Sequence, residues 1–331
     1  PEELERELRG HIGPLHLRDS PVGLLYDVKG RQLRIERAEE VDDHLECVLN
    51  HPIDLDCSDD AARVVRFKAG GDRGIIDRIA DGGQRLIFRN GAQFGPKWRV
   101  KKGESIHILH PSLRVRGSLF TDEERQKIAI AQSLGFRRYF LSYVESSRDI
   151  NELHELVGRD AELWLKIESP SGIQFVAQEF VKRDNLVLVA ARGDLFIELP
   201  HPQDILPALR LIIERDPEAC VGSRILLSVV QRPMPPREKE QLLERVYALM
   251  ASHDADVTAL CDLLAAIFHD PIPSCADFSE LAWLFDIGYR RMMLCDELCT
   301  AGGPLATAVD TFEQFRQSYA PRSSARAVAA A

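Results

Sequence analysis

No apolar run in the 331-residue chain reaches the ~18 residues of a membrane-spanning helix, so no transmembrane span is expected. Positive charge is in deficit. Lys and Arg number 42 against 52 Asp and Glu, for a formal net charge of −10. Nucleic-acid binders ordinarily carry a basic field, so nucleic acid is not an expected partner, although local charge can still hold small anions. The one basic, aromatic run, FGPKWRVKKGE (94–104), reads as a solvated loop. No CxxC, HxH or HExxH pattern occurs among the 7 cysteines and 10 histidines, so a zinc site is not expected. The cysteines (47, 57, 220, 261, 275, 295 and 299) are odd in number and irregularly spaced. Reduced thiols in a cytoplasmic protein are expected, and the histidines are expected mainly at surface and turn positions. The opening PEELERELRG is charged and does not resemble a signal peptide, and it begins on Pro1 rather than Met.

The chain does contain three textures. Residues 1–9 have the apolar spacing of a short helix, and VGLLYDVKG (22–30) reads as a strand. From 35 to 117, short β-like runs such as RVVRF, RLIFRN and ESIHILH alternate with Gly/Asp clusters, as in a small all-β insert. After Thr121 the pattern becomes strand–helix alternation. TDEERQKIAIAQSLG carries a capping box (Thr121, Glu124) and a glycine stop. RYFLSYV, ELWLKIES, NLVLVAARGD and RILLSVV read as strands separated by amphipathic helices. Such alternation predicts a parallel sheet, with a (β/α)8 TIM-type barrel, incomplete or modified, as the leading architecture. The expected division is barrel start (1–34), insert (35–117), remaining barrel (118–320) and a frayed tail (321–331). The segments 232–264 and 270–299 share P-x-P, a helix and Leu-Cys-Asp, and read as a repeated strand–helix unit.

Strand ends carry the chemistry. Asp27 and Lys29, Ser142, Lys166 and Glu168, and Arg192 and Asp194 each close a predicted strand, and parallel strands bring such ends to one edge. Lys166 and Glu168 are two apart and share a strand face. Glu168 and Asp194 suit a divalent ion held by two carboxylates plus water and substrate oxygens. A structural ion network is the competing reading. Arg192-Gly193-Asp194 could cradle a carboxylate on its backbone N–H groups or simply turn the chain toward a helix. Arg34 could reach a phosphate.

These residues sit in segments that resemble the pyruvate kinase family. LKIESPSGI (165–173) resembles its KIENxEG signature, ARGDLFIEL (191–199) its ARGDLGVEI segment, and LLYDVKGRQLR (24–34) its LDTKGPEIR strand. LSYVESSRDINEL (141–153) is similar to SFVRSAEDV, and RMMLCDEL (291–298) stands where the family has VMLSGET. The order matches, and the insert falls where the family carries its lid domain.

The resemblance implies Mg2+- or Mn2+-dependent phosphoryl transfer between phosphoenolpyruvate and ADP, giving pyruvate and ATP, with K+ as a second candidate ion and a homo-oligomer as a candidate assembly. Carried over, Lys166 would stabilise the enolate. Glu168 and Asp194 would bind the divalent ion, and Asp27 the monovalent one. Arg192, Gly193 and Asp194 would bind the carboxylate, and Arg34 phosphate. The threonine of the family's ATQM motif aligns with Ser223 through P-x-P, or with Cys261 through the repeat. The NFSHG-like motif and the first two barrel strands have no counterpart, which implies a piece of a longer chain or an altered barrel. No C-terminal allosteric domain is evident. Val28 replaces the family's threonine and Arg31 its KGP proline. Two other outcomes keep the same site: a metal-dependent aldolase or lyase acting on a pyruvate-type enolate, and an inactive metabolite-binding relative.

Overall fold

A computed structural model describes residues 6, 23–41, 44–67, 72–89, 100–230, 236–251, 273–300 and 303–319. The chain divides into two compact units, 1–221 and 222–331. The helix expected over 1–9, the frayed tail, most of the basic aromatic run and the strand of the first repeat copy lie largely or wholly outside the described residues.

The first unit is built on strands β1 (Tyr26–Val28), β10 (Arg138–Leu141), β11 (Glu162–Ile167), β12 (Leu186–Ala191) and β13 (Cys220–Gly222), which neighbour one another in that order, the first four pairing in parallel. Burial follows each strand's place in the sheet. All six residues of β12, LVLVAA, are buried, as expected where helices cover both faces of a parallel strand. β11 alternates between half-buried and buried residues. Helices α1 (Asp122–Ser133), α2 (Ser147–Val157), α3 (Pro170–Gln178), α4 (Arg192–Glu198) and α5 (Ile205–Arg215) follow or separate these strands. The Thr121 capping box forms in both directions. Glu124 N–H donates to Thr121 Oγ1 at 3.2 Å, and Thr121 N–H donates to Glu124 Oε2 at 3.0 Å. The mixed α/β character expected from the sequence is present. A complete eight-stranded barrel is not found among the described residues.

Between β1 and β10 lies an antiparallel sheet ordered β2 (Ile35–Val41), β3 (His44–Leu49), β7 (Arg85–Arg89), β6 (Asp72–Ala80), β5 (Val64–Phe67) and β8 (Ile106–Ile108), beside a small pair, β4 (Ile53–Asp54) and β9 (Arg114–Val115). Its own core includes Ile35, Leu49, Val65, Phe67, Leu86 and Phe88. The Phe67 and Phe88 rings meet edge to face at 5.6 Å.

The strand expected over RILLSVV is corrected. The chain pairs earlier, at β13, and then turns, with a 3-10 turn at Leu227–Val229. Ser223, Arg224 and Leu226 adopt φ of 66°, 61° and 53°, a left-handed backbone that cannot continue a pleated strand.

Asp216 stitches β12 to the end of α5. It is fully buried and accepts from Leu188 N–H at 2.8 Å and Glu218 N–H at 3.0 Å, with Lys182 Nζ 2.8 Å away. Asp216→Ala leaves the two N–H donors without their acceptor, while Lys182 keeps the Leu186 carbonyl and Glu218. A loss of about 2–4 kcal/mol, from the backbone donors left unsatisfied, is expected from urea unfolding, and Lys182→Met should cost less because Lys182 is partly exposed.

The second unit contains α6 (Pro236–Ala251), α7 (Cys275–Ile287), β14 (Arg291–Met293), α8 (Asp296–Cys299) and α9 (Gly303–Ser318). Ser274 caps α7 through Asp277, and Phe285 packs edge to face against Phe312, Phe315 and Tyr319.

Candidate active site

Parallel pairing aligns the strand ends. Val28 faces Leu141, Leu141 faces Leu165 and Ile167 faces Ala190 across successive ladders. The next residues of each strand therefore meet at one edge of the sheet. Lys166 is the hub. Its ammonium donates to Ser142 Oγ at 2.8 Å and lies 3.3 Å from Glu168 Oε1 and 3.5 Å from Asp27 Oδ1. Burial works against the Lys166 charge, but Glu168, Asp27 and Asp194 outweigh it and hold its pKa above the ordinary lysine value.

Glu168 is 1% exposed. Burial pushes its carboxyl up to about 7, helped by Asp194 and Asp27 and opposed by Lys166 and the Tyr143 N–H, which donates to Oε2 at 2.8 Å. Burial also raises the Asp27 carboxyl, yet Lys166, Lys29 and Arg34 bring it below the usual aspartate value. Lys29 pairs directly with Asp27.

Two expectations change in detail. Arg192-Gly193-Asp194 is the first turn of α4 rather than a loop, with Arg192 buried. Gly193 has no left-handed φ, so no turn restricted to glycine explains it. Arg34 does not reach out freely. Its guanidinium donates to Gln32 Oε1 at 2.9 and 2.6 Å and to the Gly103 carbonyl. Ser223 follows β13, within the second unit. Cys261 lies outside the described residues.

Several residues here carried no site signal in the sequence. Tyr143 has φ of 50°, a costly conformation for a bulky residue, and this aims its N–H at Glu168. Its hydroxyl lies 3.2 Å from His107 Nδ1 and 3.3 Å from Glu198 Oε1. His107 sits on β8 of the antiparallel sheet, 1% exposed, contrary to a surface or turn placement. Its Nδ1 is 2.6 Å from Glu198 Oε1, and its Nε2 is 3.7 Å from Asp194 Oδ1. His51 and His154 are buried as well. A legible signal did exist at Glu145, which stands where SFVR has arginine. Glu145 accepts from Ser169 Oγ at 2.5 Å, and burial raises its pKa. Arg31, at the proline of KGP, lies 3.5 Å from Asp149 Oδ1.

The donor set suits a divalent cation. Glu168 and Asp194 act on each other across the strand ends, and burial, with a smaller contribution from Asp194, drives the Glu168 pKa upward. Among the described residues, no three His, Cys, Asp or Glu side chains already form a metal cluster.

The chain is similar in sequence to several pyruvate kinases. A pyruvate kinase of Methanocaldococcus jannaschii is 23% identical over 256 residues, covering 73% of this chain and 56% of its own. One of Mycobacterium intracellulare is 24% identical over 261 residues, covering 71% and 54%. The chain is a divergent relative of the pyruvate kinases. A pyruvate kinase of Agrobacterium vitis reaches 35% identity over a shorter stretch of 124 residues, 36% of this chain and 25% of its own. No family model matches the chain. It spans about half the length of the two pyruvate kinases that align over most of it. No helix among the described residues is long and apolar enough to cross a membrane.

Proposed function

We propose that this pyruvate kinase relative catalyses Mg2+-dependent phosphoryl transfer between phosphoenolpyruvate and ADP. The observation that carries the reading is Lys166, buried at the strand ends and ringed by Ser142, Glu168 and Asp27. Phosphoryl transfer asks a protein for positioning and charge neutralisation more than for covalent chemistry. A permanently charged ammonium at this position stabilises an enolate oxygen as the phosphoryl group leaves it. Glu168 and Asp194 would hold Mg2+ or Mn2+, which when bound neutralises charge on the transferring oxygens. Tyr143 keeps Glu168 aimed through its backbone N–H. The first turn of α4 presents Arg192 and backbone N–H groups for the substrate carboxylate. Arg34, held by Gln32 and Gly103, presents its charge near Asp27 toward phosphate.

Val28 replaces the family's threonine and so removes one oxygen that could face a monovalent ion, whereas Lys29 matches the family's own lysine. The monovalent ion is therefore expected to contribute little. The test is pyruvate release from phosphoenolpyruvate and ADP with Mg2+, run in K+ and again in tetramethylammonium. Turnover that persists without K+ is the expected result. No turnover in either salt, with Mg2+-dependent pyruvate or oxalate binding intact, would sink the kinase reading and favour lyase chemistry or ligand binding alone.

A further inference from the structure

Two departures from the family's segments change charge in opposite directions, and the structure brings both to one side chain. Arg31 stands at the proline of KGP and adds a cation. Glu145 stands at the arginine of SFVRSAEDV and removes one. They are far apart in the chain, yet both meet Asp149. This aspartate is 1% exposed and lies in the first turn of α2. Its Oδ2 accepts from the N–H groups of Glu145 and Ser146, at 3.0 Å each. Its Oδ1 is buried without a hydrogen-bond partner and lies 3.5 Å from Arg31 Nε. A buried carboxylate needs a compensating cation. Among the described residues, Arg31 is the one cation paired with Asp149. In SFVRSAEDV the arginine stands four residues before the aspartate. The Glu145 N–H bonds to Asp149 here, so a side chain at 145 starts beside that carboxylate. Glu145 turns to Ser169 instead, whose Oγ donates to its Oε1 at 2.5 Å.

The cation has moved to a different part of the chain. Arg31 belongs to the segment 29–34, which runs from β1 into the antiparallel sheet. Several of the segment's contacts are with that sheet's side or within itself. His51 Nε2 lies 3.1 Å from the Gly30 carbonyl, Arg34 N–H donates to Asn50 Oδ1 at 2.8 Å, and the Arg34 guanidinium is held by Gln32. On the helix side, Gly30 N–H donates to Glu124 of α1 at 3.2 Å, and Arg31 reaches α2. The Arg31 side chain is only 25% exposed, so its pair with Asp149 is screened by salt less than a surface pair would be.

We propose that Arg31 is a positioning residue. It supplies Asp149 with the cation that position 145 lacks, and by doing so it fastens the segment leading into the antiparallel sheet to the start of α2. A cation at 145 would neutralise Asp149 from within its own loop and leave the segment untied. With the cation at 31, the placement of this segment, and of Arg34 at its end, depends on an ion pair. The inference holds whichever reaction the strand-end site performs.

The test compares the full chain with Arg31→Gln, Glu145→Arg, the double variant and Arg31→Lys. Urea unfolding reads the charge balance at Asp149. Amide hydrogen exchange over residues 29–35, followed by mass spectrometry, reads the fastening. Each of Arg31→Gln and Glu145→Arg should raise the unfolding equilibrium constant by about tenfold, within the range of coupled neighbours. The first strips Asp149 of its cation, and the second crowds two arginines around one carboxylate. The double variant should regain most of the loss. Exchange should behave differently. It should quicken by about tenfold in Arg31→Gln and stay fast in the double variant, where the counter-charge returns but the tether does not. Arg31→Lys should stay near the unaltered protein in both readouts. A side chain that served only as a counter-ion would not split them in this way. Additive losses in the double variant overturn the relocated charge. Exchange that is unchanged in Arg31→Gln, or restored in the double variant, overturns the fastening. If Glu145→Arg does not fold alone, a folded double variant is the expected sign of coupling, and an unfolded one overturns it. Neither readout uses turnover, so failure here leaves phosphoryl transfer standing, and failure of phosphoryl transfer leaves this test intact.

Discussion

Lys166→Ala is expected to lower pyruvate release from phosphoenolpyruvate and ADP by roughly 10³-fold, the upper range for loss of one preorganised donor at a developing oxyanion. Substrate affinity should change less, because the charge on the enolate oxygen appears only in the transition state. The substitution also removes the cation that opposes ionisation of the buried Glu168. Glu168 should therefore take up a proton more readily in the variant, and Asp27 would keep Lys29 as its partner. Part of the structural cost of losing Lys166 is relieved in this way, and the folded variant can be assayed. Melting temperature and Mn2+ binding measured beside the rate separate the two effects. A variant that keeps its fold and its metal but loses turnover identifies Lys166 as catalytic. A variant with near-normal turnover would mean that the ammonium is a structural counter-ion, and the phosphoryl-transfer reading would fall.

The strand ends were the legible part of this site. Lys166, Glu168, Asp27 and Ser142 are placed by the alternation of apolar strands and helices, and parallel pairing brings them together by geometry alone. The helix starts were legible for the same local reason, since Thr121 and Glu124 cap α1 through contacts three residues apart. Long-range and conformational features were not. His107 comes from a sheet that the chain completes before β10 begins, so nothing local ties it to Asp194, 87 positions later. Tyr143 sits in a left-handed conformation that no sequence pattern for a bulky residue announces. RILLSVV has strand composition, but two left-handed residues within it, after Ser223 just before it, break it, and the pairing moved upstream to CVG. Arg31 and Glu145 were visible letter by letter against KGP and SFVR. Their meaning emerges only when both are seen beside Asp149 and Ser169.

Glu168→Gln should separate stability from function in the opposite direction. In metal-free protein the Glu168 carboxyl titrates near 7 when folded, against an ordinary 4.5. A carboxyl whose folded pKa is raised binds its proton more tightly in the native state, so its contribution is fully present below about pH 4.5 and is lost as pH rises toward 7. By pH 8 the ionised, buried Glu168 therefore lowers the stability of the fold relative to pH 5. Glutamine carries no charge and still offers an oxygen to the Tyr143 N–H. The variant should therefore unfold at higher urea concentration than the parent at pH 8 in the presence of chelator, and the gap should close as the pH is lowered to 5. Added Mg2+ reverses the ranking. The parent gains stability by binding the ion in its native state, whereas the variant, with one carboxylate fewer, gains little. Turnover should fall with the lost metal affinity and recover only partly at high Mg2+. If Glu168→Gln is less stable than the parent at pH 8 without metal, Glu168 is a net stabilising partner of Lys166 rather than a ligand held ready at a cost. Glu168 would then belong to an ion network with Lys166, and the case for a divalent-cation site would fall back on Asp194 alone.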